Sequence, residues 1–311
     1  MFFRLGPVKV LFLRHGTPIW RIAVLAGVLA TVAGCDKLGL GNNSPTAPTG
    51  PPAPGSTIVY TAIGASDANG LGSSVPCIPF DNGCPGMGYV QVAARELRTR
   101  GFTVNLTNLG LPTAVIGRDF QTLGQQNGRT IEANFIEHEM PFVAPITTFV
   151  TIFAGGNEVN TITAALGRGA GGADPLAYID NQVRAFGADY ATLMTGVTSR
   201  TAARIVLLNV PNLAGLPVLA GAPLQQRQAA QRAATGMTTT VVNRLASQNV
   251  SVVDLMCDSR SYLASNYSAD GFHPNDAGYA FIASEVVSAA TSSSYPAPRF
   301  SCSAMTVVPA P

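Results

Sequence analysis

Ser56–Gly70 reads STIVYTAIGASDANG. The β-branched and aromatic residues of Ser56–Ile63 predict a buried strand, and Gly64-Ala65-Ser66 follows it directly, so the strand empties into a tight turn that carries a serine. The same grammar recurs downstream. Gly88–Arg100 repeats apolar residues at helical spacing (Tyr89, Val92, Ala93, Leu97) and stops at Gly101, a helix-ending residue. Phe102–Leu109 predicts a second strand that leads into Gly110, and Arg129–His138 predicts a further helix. Thr148–Ala154, TTFVTIFA with its leading threonine Thr147, is a third β-rich run that ends at Gly155 and Gly156. Beyond it the expected elements are a helix over Ala173–Thr198, a strand over Arg204–Asn209, a helix over Gln225–Gln248, a strand over Val250–Leu255 and a helix over Asn275–Ala290. Strands alternating with helices imply a parallel sheet covered on both faces. Ligands of such sheets sit beyond the carboxyl ends of the strands. Ser66, Gly110 and Asn157 all follow predicted strands, so one sheet edge gathers them.

A serine hydroxyl is a poor nucleophile at neutral pH. It needs a histidine to take its proton and a carboxylate to orient that imidazole. The chain has three histidines. His15 lies in an N-terminal segment discussed below, and His138 stands in IEANFIEHEMPF, whose pattern reads as the solvated end of an amphipathic helix. His273 lies in DGFHPNDAG, three residues after Asp270 and just before an Asn-Asp-Ala-Gly helix start. Asp-x-x-His supplies base and orienting carboxylate from one turn. Each residue also has a purely structural reading: Gly110 as a turn glycine, Asn157 as a helix cap, Asp270 as a turn cap, Asp67 as a turn residue.

Four blocks in order, IGASDANG around Ser66, NLGLP around Gly110, FAGGNEVN around Asn157 and DGFHPND around His273, resemble those of the SGNH (GDSL-like) hydrolases, here of a bacterial lipoprotein type. The resemblance spans nearly all of residues 57–311. It implies a flavodoxin-like three-layer α/β/α sandwich with a mainly five-stranded parallel sheet, and cleavage of carboxylic esters, as an esterase or lipase, through an acyl-enzyme. It makes Ser66 the nucleophile, His273 the base and Asp270 its carboxylate, with an oxyanion hole built from the Ser66 N–H, the Gly110 N–H and the Asn157 amide. Two departures stand out. Gly-Ala-Ser-Asp replaces the family's Gly-Asp-Ser-Leu, and Gly155-Gly156-Asn157-Glu158 replaces Gly-x-Asn-Asp, which leaves Asp67 or Glu158 to brace the loops. No metal or organic cofactor is called for. The alternative is a non-catalytic, surface-anchored glycan- or lipid-binding protein on the same fold.

Residues 1–34 read as an export signal: Arg4, Lys9, Arg14 and Arg21 precede an apolar run, Ile22–Gly34, too short to span a bilayer, which needs about 20 residues. Val32-Ala33-Gly34-Cys35 resembles a lipobox, which implies cleavage before Cys35 and lipidation of its thiol. Residues 35–56 are rich in Pro, Gly, Ser and Thr and form a flexible tether. The expected protein is therefore an extracytoplasmic, membrane-anchored lipoprotein. The full chain carries +2, and loss of the four bases of the signal leaves −2, which gives no reason to expect a nucleic-acid partner. The expected partners are an acyl ester, whether a small ester, an acylated glycan or a lipid, and a membrane through the anchor. The remaining length suits one domain over 57–311. Four cysteines remain, and an oxidising compartment favours disulfides; Cys77–Cys84 and Cys257–Cys302 are the expected pairs, with the other two pairings open. A zinc site is the rival, without a CxxC pair or histidine cluster to support it. Asn209–Gln225, apolar and rich in Pro and Gly, could wall an acyl chain through Leu213, Leu216 and Leu219, or be an ordinary packed crossover.

Overall fold

The computed structural model describes residues 50–311. The signal, the Cys35 lipidation site, His15 and most of the tether lie outside the described residues. Five strands, β1 (Thr57–Gly64), β2 (Thr103–Asn108), β3 (Phe149–Phe153), β4 (Arg204–Leu208) and β5 (Val250–Val253), form one sheet in the order β2-β1-β3-β4-β5, with every pairing parallel. The helices are α1 (Tyr89–Thr99), α2 (Arg118–Gln126), α3 (Phe135–His138), α4 (Gly156–Gly167), α5 (Pro175–Arg200), α6 (Leu224–Gly236) and α7 (Asp276–Thr291).

The period-2 alternation of the strands decides which helices cover which face. Ile58, Tyr60 and Ala62 of β1, with Val206, Leu208 and Val253, pack beneath α1 and α7. Ile63, Val150, Ile152, Ile205, Leu207 and Val252 point the other way, into a core completed by α2, α4, α5 and α6. Buried on both faces, β1, β3 and β4 read as nearly continuous apolar runs, whereas the edge strand β2 exposes Thr103 and Asn105 on either side of buried Val104. In α1, Val90, Ala93, Ala94 and Leu97 form the buried stripe. That helix closes at Gly101 (φ +91) in a Schellman motif, in which the Gly101 N–H donates to Arg98 O and the Phe102 N–H to Leu97 O.

Four elements depart from the expected order. The first is α4, a helix whose N-cap is Gly155 and whose first turn contains Asn157, where the expected order has no helix. The helix predicted over Arg129–His138 is a single turn, α3. Ile131 and Ala133 are buried with Glu132 exposed between them in an extended approach; Asn134, also buried, then caps α3 by accepting from the Glu137 N–H, and Pro141 follows. Helix α2 was not anticipated, because only Phe120 and Gly124 of its residues are buried, too few for a visible stripe. The helix expected to reach Gln248 ends as α-helix at Gly236, and a π turn over Met237–Val241 follows, where three consecutive threonines load the backbone with β-branched side chains. Among the described residues no helix is long and apolar enough to cross a membrane.

Cys77 is joined to Cys84, and Cys257 to Cys302. The second bridge spans 45 residues and fixes the tail against the segment that follows β5. In the chain-entropy model a loop of that length contributes about 4 kcal/mol. Replacing both Cys257 and Cys302 by Ser should therefore lower the calorimetric Tm on the order of 10 °C; an unchanged Tm would show that the tail is held by packing alone.

Candidate active site

The order β2-β1-β3 means that the chain reverses its winding between β1 and β3, and the crevice of such a sheet opens at that switch point. Ser66 follows β1 by two residues, and Asn157 lies in the first turn of α4, directly after β3. Pairing between β1 and the β2 chain continues past the strands through Leu109 N–H to Ala62 O and Leu111 N–H to Gly64 O. It sets Gly110 against the serine turn, where a Cβ would meet Ala68 Cβ at 2.6 Å and Ala65 O at 3.2 Å. Close approach of the two loops is the reason for glycine here.

The structure brings Ser66, His273 and Asp270 into one line. Ser66 Oγ lies 2.8 Å from His273 Nε2, and His273 Nδ1 lies 2.6 Å from Asp270 Oδ2. With Asp270 accepting, the tautomer has its proton on Nδ1 and Nε2 free to accept from the serine hydroxyl. Burial alone would raise the Asp270 carboxyl, but hydrogen bonds from His273, Phe272 and Ser268 outweigh it and hold the group at about 2. It is an anion throughout the neutral range and stabilises an imidazolium without taking its proton.

The three proposed oxyanion donors are placed differently. The Ser66 N–H donates to no other group among the described residues. Asn157 is nearly buried; one N–H of its amide donates to Ala114 O at 3.0 Å, which leaves the second. The Gly110 N–H is turned instead onto Asn108 Oδ1, 3.2 Å away. His138 is exposed at the end of α3, where it bonds only the Asn134 backbone.

The sequence matches the GDSL-like lipase/acylhydrolase family over residues 62–281, which contains every one of these loops. The chain belongs to that family. A lipase from a goat rumen metagenome superposes with a TM-score of 0.53 at 16% identity, covering 75% of this chain and 98% of its own. An extracellular lipase from Streptomyces rimosus gives 0.51 at 18%, covering 75% and 100%. At these identities the likeness is one of fold. Comparison with curated protein sequences finds no match.

Two buried carboxylates support the loops of this GDSL-like hydrolase. Glu158 accepts from the Ile116 N–H at 2.5 Å and from the Gly155 N–H at 2.8 Å, tying the Asn157 loop to the segment before α2. Glu139 is fully buried and accepts from the Gly64 N–H at 2.8 Å, at the exit of β1. Burial pushes Glu139 well above the usual carboxylate range, its bond from Gly64 opposing. Asparagines lace the other side: Asn69 Nδ2 donates to Gly110 O and Asn108 Nδ2 to Ala68 O, each at 2.7 Å. Sequence reading singled out Glu158 but passed over Glu139, Asn69, Asn108 and Arg129. The one available signal was polar residues at strand exits. Asp67 is not a brace of the same kind: the Tyr279 hydroxyl donates to Leu71 O at 2.6 Å and lies 3.4 Å from Asp67 Oδ1, while burial raises the Asp67 carboxyl and the nearby His273 lowers it.

The Asn209–Gln225 segment is a packed crossover: Leu213, Leu216 and Leu219 are buried, the first two beside Phe272 and Asn157 around a cavity of about 50 Å³. A cavity of that size holds a few waters or a group of similar bulk.

Burial raises Glu158 from 4.5 to about 7, against its backbone hydrogen bonds and Arg129. The folded state thus binds a proton more tightly than the unfolded chain, and stability should fall as pH rises from about 4.5 to about 7. Glu158→Gln should flatten that part of the Tm–pH curve, read by thermal denaturation in matched buffers; an unaltered slope would assign it to other groups.

Proposed function

We propose that this protein is a serine carboxylester hydrolase acting through an acyl-enzyme, with Ser66 as nucleophile, His273 as base and then acid, and Asp270 as the orienting carboxylate. The continuous hydrogen-bonded line Ser66 Oγ to His273 Nε2 (2.8 Å) and His273 Nδ1 to Asp270 Oδ2 (2.6 Å) carries this reading. Nε2 takes the serine proton as Oγ bonds to the ester carbonyl carbon. The negative charge that moves onto the carbonyl oxygen is met by the Ser66 N–H and the second N–H of Asn157, with the Gly110 N–H joining by exchange from its long bond to Asn108. Collapse breaks the bond to the alcohol oxygen, which leaves with the proton from Nε2. Water then gives its proton to the same nitrogen, attacks the acyl carbon and returns Ser66 with release of the acid. Asp270, ionised at neutral pH, holds the positive imidazole in place through both half-reactions.

The substrate class is an acyl ester, small or carried on a glycan or lipid. We further infer that the domain of residues 57–311 works outside the cytoplasm, tethered by residues 35–56 to a lipid on Cys35 after removal of residues 1–34. Two disulfides in the domain support passage through an oxidising compartment.

Hydrolysis of p-nitrophenyl esters from acetyl to palmitoyl tests the chemistry and reads the preferred chain length. Ser66→Ala should abolish labelling by a fluorophosphonate and lower kcat by at least about 10³-fold, and Asp270→Asn should cost about 10⁴-fold. Turnover that survives Ser66→Ala would overturn the mechanism, and a folded protein that neither turns over nor labels would favour a binding role. For the anchor, Cys35→Ser should move the expressed protein from the membrane to the soluble fraction; persistence in the membrane fraction would refute lipidation at this residue.

A further inference from the structure

Arg129 makes contacts that none of the steps above uses. Its Nη2 donates to Asn157 Oδ1 at 3.0 Å, and its Nη1 donates both to the Asn157 backbone carbonyl and to Thr161 Oγ1, the latter at 2.6 Å. Thr161 Oγ1 donates in turn to the same Asn157 carbonyl at 2.8 Å. The guanidinium therefore holds one residue at two points, with a helical hydroxyl as the second anchor. None of the ion pairs among the described residues includes Arg129. Its nearest opposing charge is Glu158, whose two oxygens are taken by backbone N–H groups. A cation in a partly buried place without a carboxylate bonded to it is costly by itself, and burial indeed lowers its affinity for a proton.

The contacts read the polarity of the Asn157 amide from both ends. An amide can turn over about its terminal bond and exchange oxygen for nitrogen. Here Arg129, a donor only, requires the amide oxygen at one end, and Ala114 O, an acceptor only, requires an N–H at the other, 3.0 Å from Nδ2. One Nδ2 hydrogen is spent on Ala114, and the other has no partner among the described residues and is available to an oxyanion. The positive charge lies behind the amide oxygen, so it pulls electron density from the end that faces the site and strengthens the free N–H as a donor.

We propose that Arg129 is a positioning residue that fixes and polarises the Asn157 amide as an oxyanion donor. This rests on the reading of Asn157 as such a donor. The effect is needed only when negative charge develops, so it falls on kcat and leaves KM nearly unaltered.

Four variants, Arg129→Met, Arg129→Lys, Asn157→Ala and the Arg129→Met/Asn157→Ala double, assayed on p-nitrophenyl acetate with Tm measured alongside, test the proposal. Asn157→Ala should lower kcat about 10²- to 10³-fold. Arg129→Met should lower kcat at least about tenfold with KM changed less than about twofold, and Lys, which keeps the charge and loses the fork, should recover part of the loss. In the Asn157→Ala background, Arg129→Met should cost nothing further, because its target is gone. Full multiplicative loss in the double variant, or wild-type kcat in Arg129→Met while Asn157→Ala is impaired, overturns the role of Arg129 alone. Wild-type kcat in Asn157→Ala overturns the oxyanion reading beneath it. If Arg129→Met does not fold, Arg129→Lys with and without Asn157→Ala gives the same cycle, with a smaller loss expected in the first and none added in the second.

Discussion

The hydrogen bond between Ser66 and His273 joins residues 207 positions apart, and most of what surrounds it serves to keep its two ends together. Neither loop is long enough to wander to the other. The end of β1 fixes the serine, and the start of α7 fixes the histidine, with Asn275 capping that helix by accepting from the Ala277 and Gly278 N–H groups. Contacts between the loops complete the alignment. Ser74 donates its N–H and hydroxyl to the two Asp276 oxygens, and the Tyr279 hydroxyl reaches back to Leu71 O. At Gly72 (φ +92) a Cβ would lie 2.7 Å from His273 Cβ, and at Gly271 (φ +69) 2.7 Å from the Val218 nitrogen. These glycines permit two backbones to press on the histidine loop from opposite sides, which limits the drift of Nε2 from the serine.

The polar support of the site is unequal in cost. Bonds among asparagines and carbonyls, such as Asn69 to Gly110 and Asn108 to Ala68, are neutral and cheap to bury. Glu139 and Glu158 are not. A carboxylate removed from water is penalised by its charge, and both groups answer in part by a raised affinity for protons. What they supply in return is reach and directed acceptance: each binds backbone N–H groups at a loop root, where no backbone carbonyl is positioned to do so. A small apolar residue in either place would leave those N–H groups buried without partners, so the carboxylates are better understood as required by the shape of the loops than as net sources of stability.

The sheet and the alignment of Ser66, His273 and Asp270 were legible in the sequence for the same reason. Strands buried on both faces spell themselves as apolar runs, and a strand exit with Gly and a nucleophile is local information. TTFVTIFAGGN and DGFH need no partner to be read. The failures share a cause as well. In IEANFIEHEM the spacing of Ile131, Ala133 and Phe135 fits a helix or an extended chain according to what covers it, and the tertiary bridge between Val115 and Asn134 sets the extended form up to the start of α3. Glu139 stands in a stretch of Glu and His that reads as solvated, yet it alone of Glu137, His138 and Glu139 turns inward to the β1 exit. Arg129 was misplaced with that segment, and its grip on Asn157 is invisible until α4 lies beside it. The leucines of Asn209–Gln225 are apolar for the ordinary reason: they are core.

The departures from the family's motif become intelligible once those distant residues are counted. Ala65 precedes Ser66 where the family places an acid, and the backbone at that turn still meets a carboxylate, because Glu139 arrives from another loop to take the Gly64 N–H. Glu158 likewise serves the Asn157 loop through Gly155 and Ile116. Asp67 lies close enough to His273 for the imidazole to oppose the rise that burial imposes on its carboxyl, and the two are not hydrogen-bonded. A motif records which atoms flank the reacting group along the chain, whereas the loops respond only to which atoms reach them in space. Bracing groups can therefore move to remote positions while the serine, histidine and asparagine, whose own atoms are proposed to meet the substrate, stay in their places.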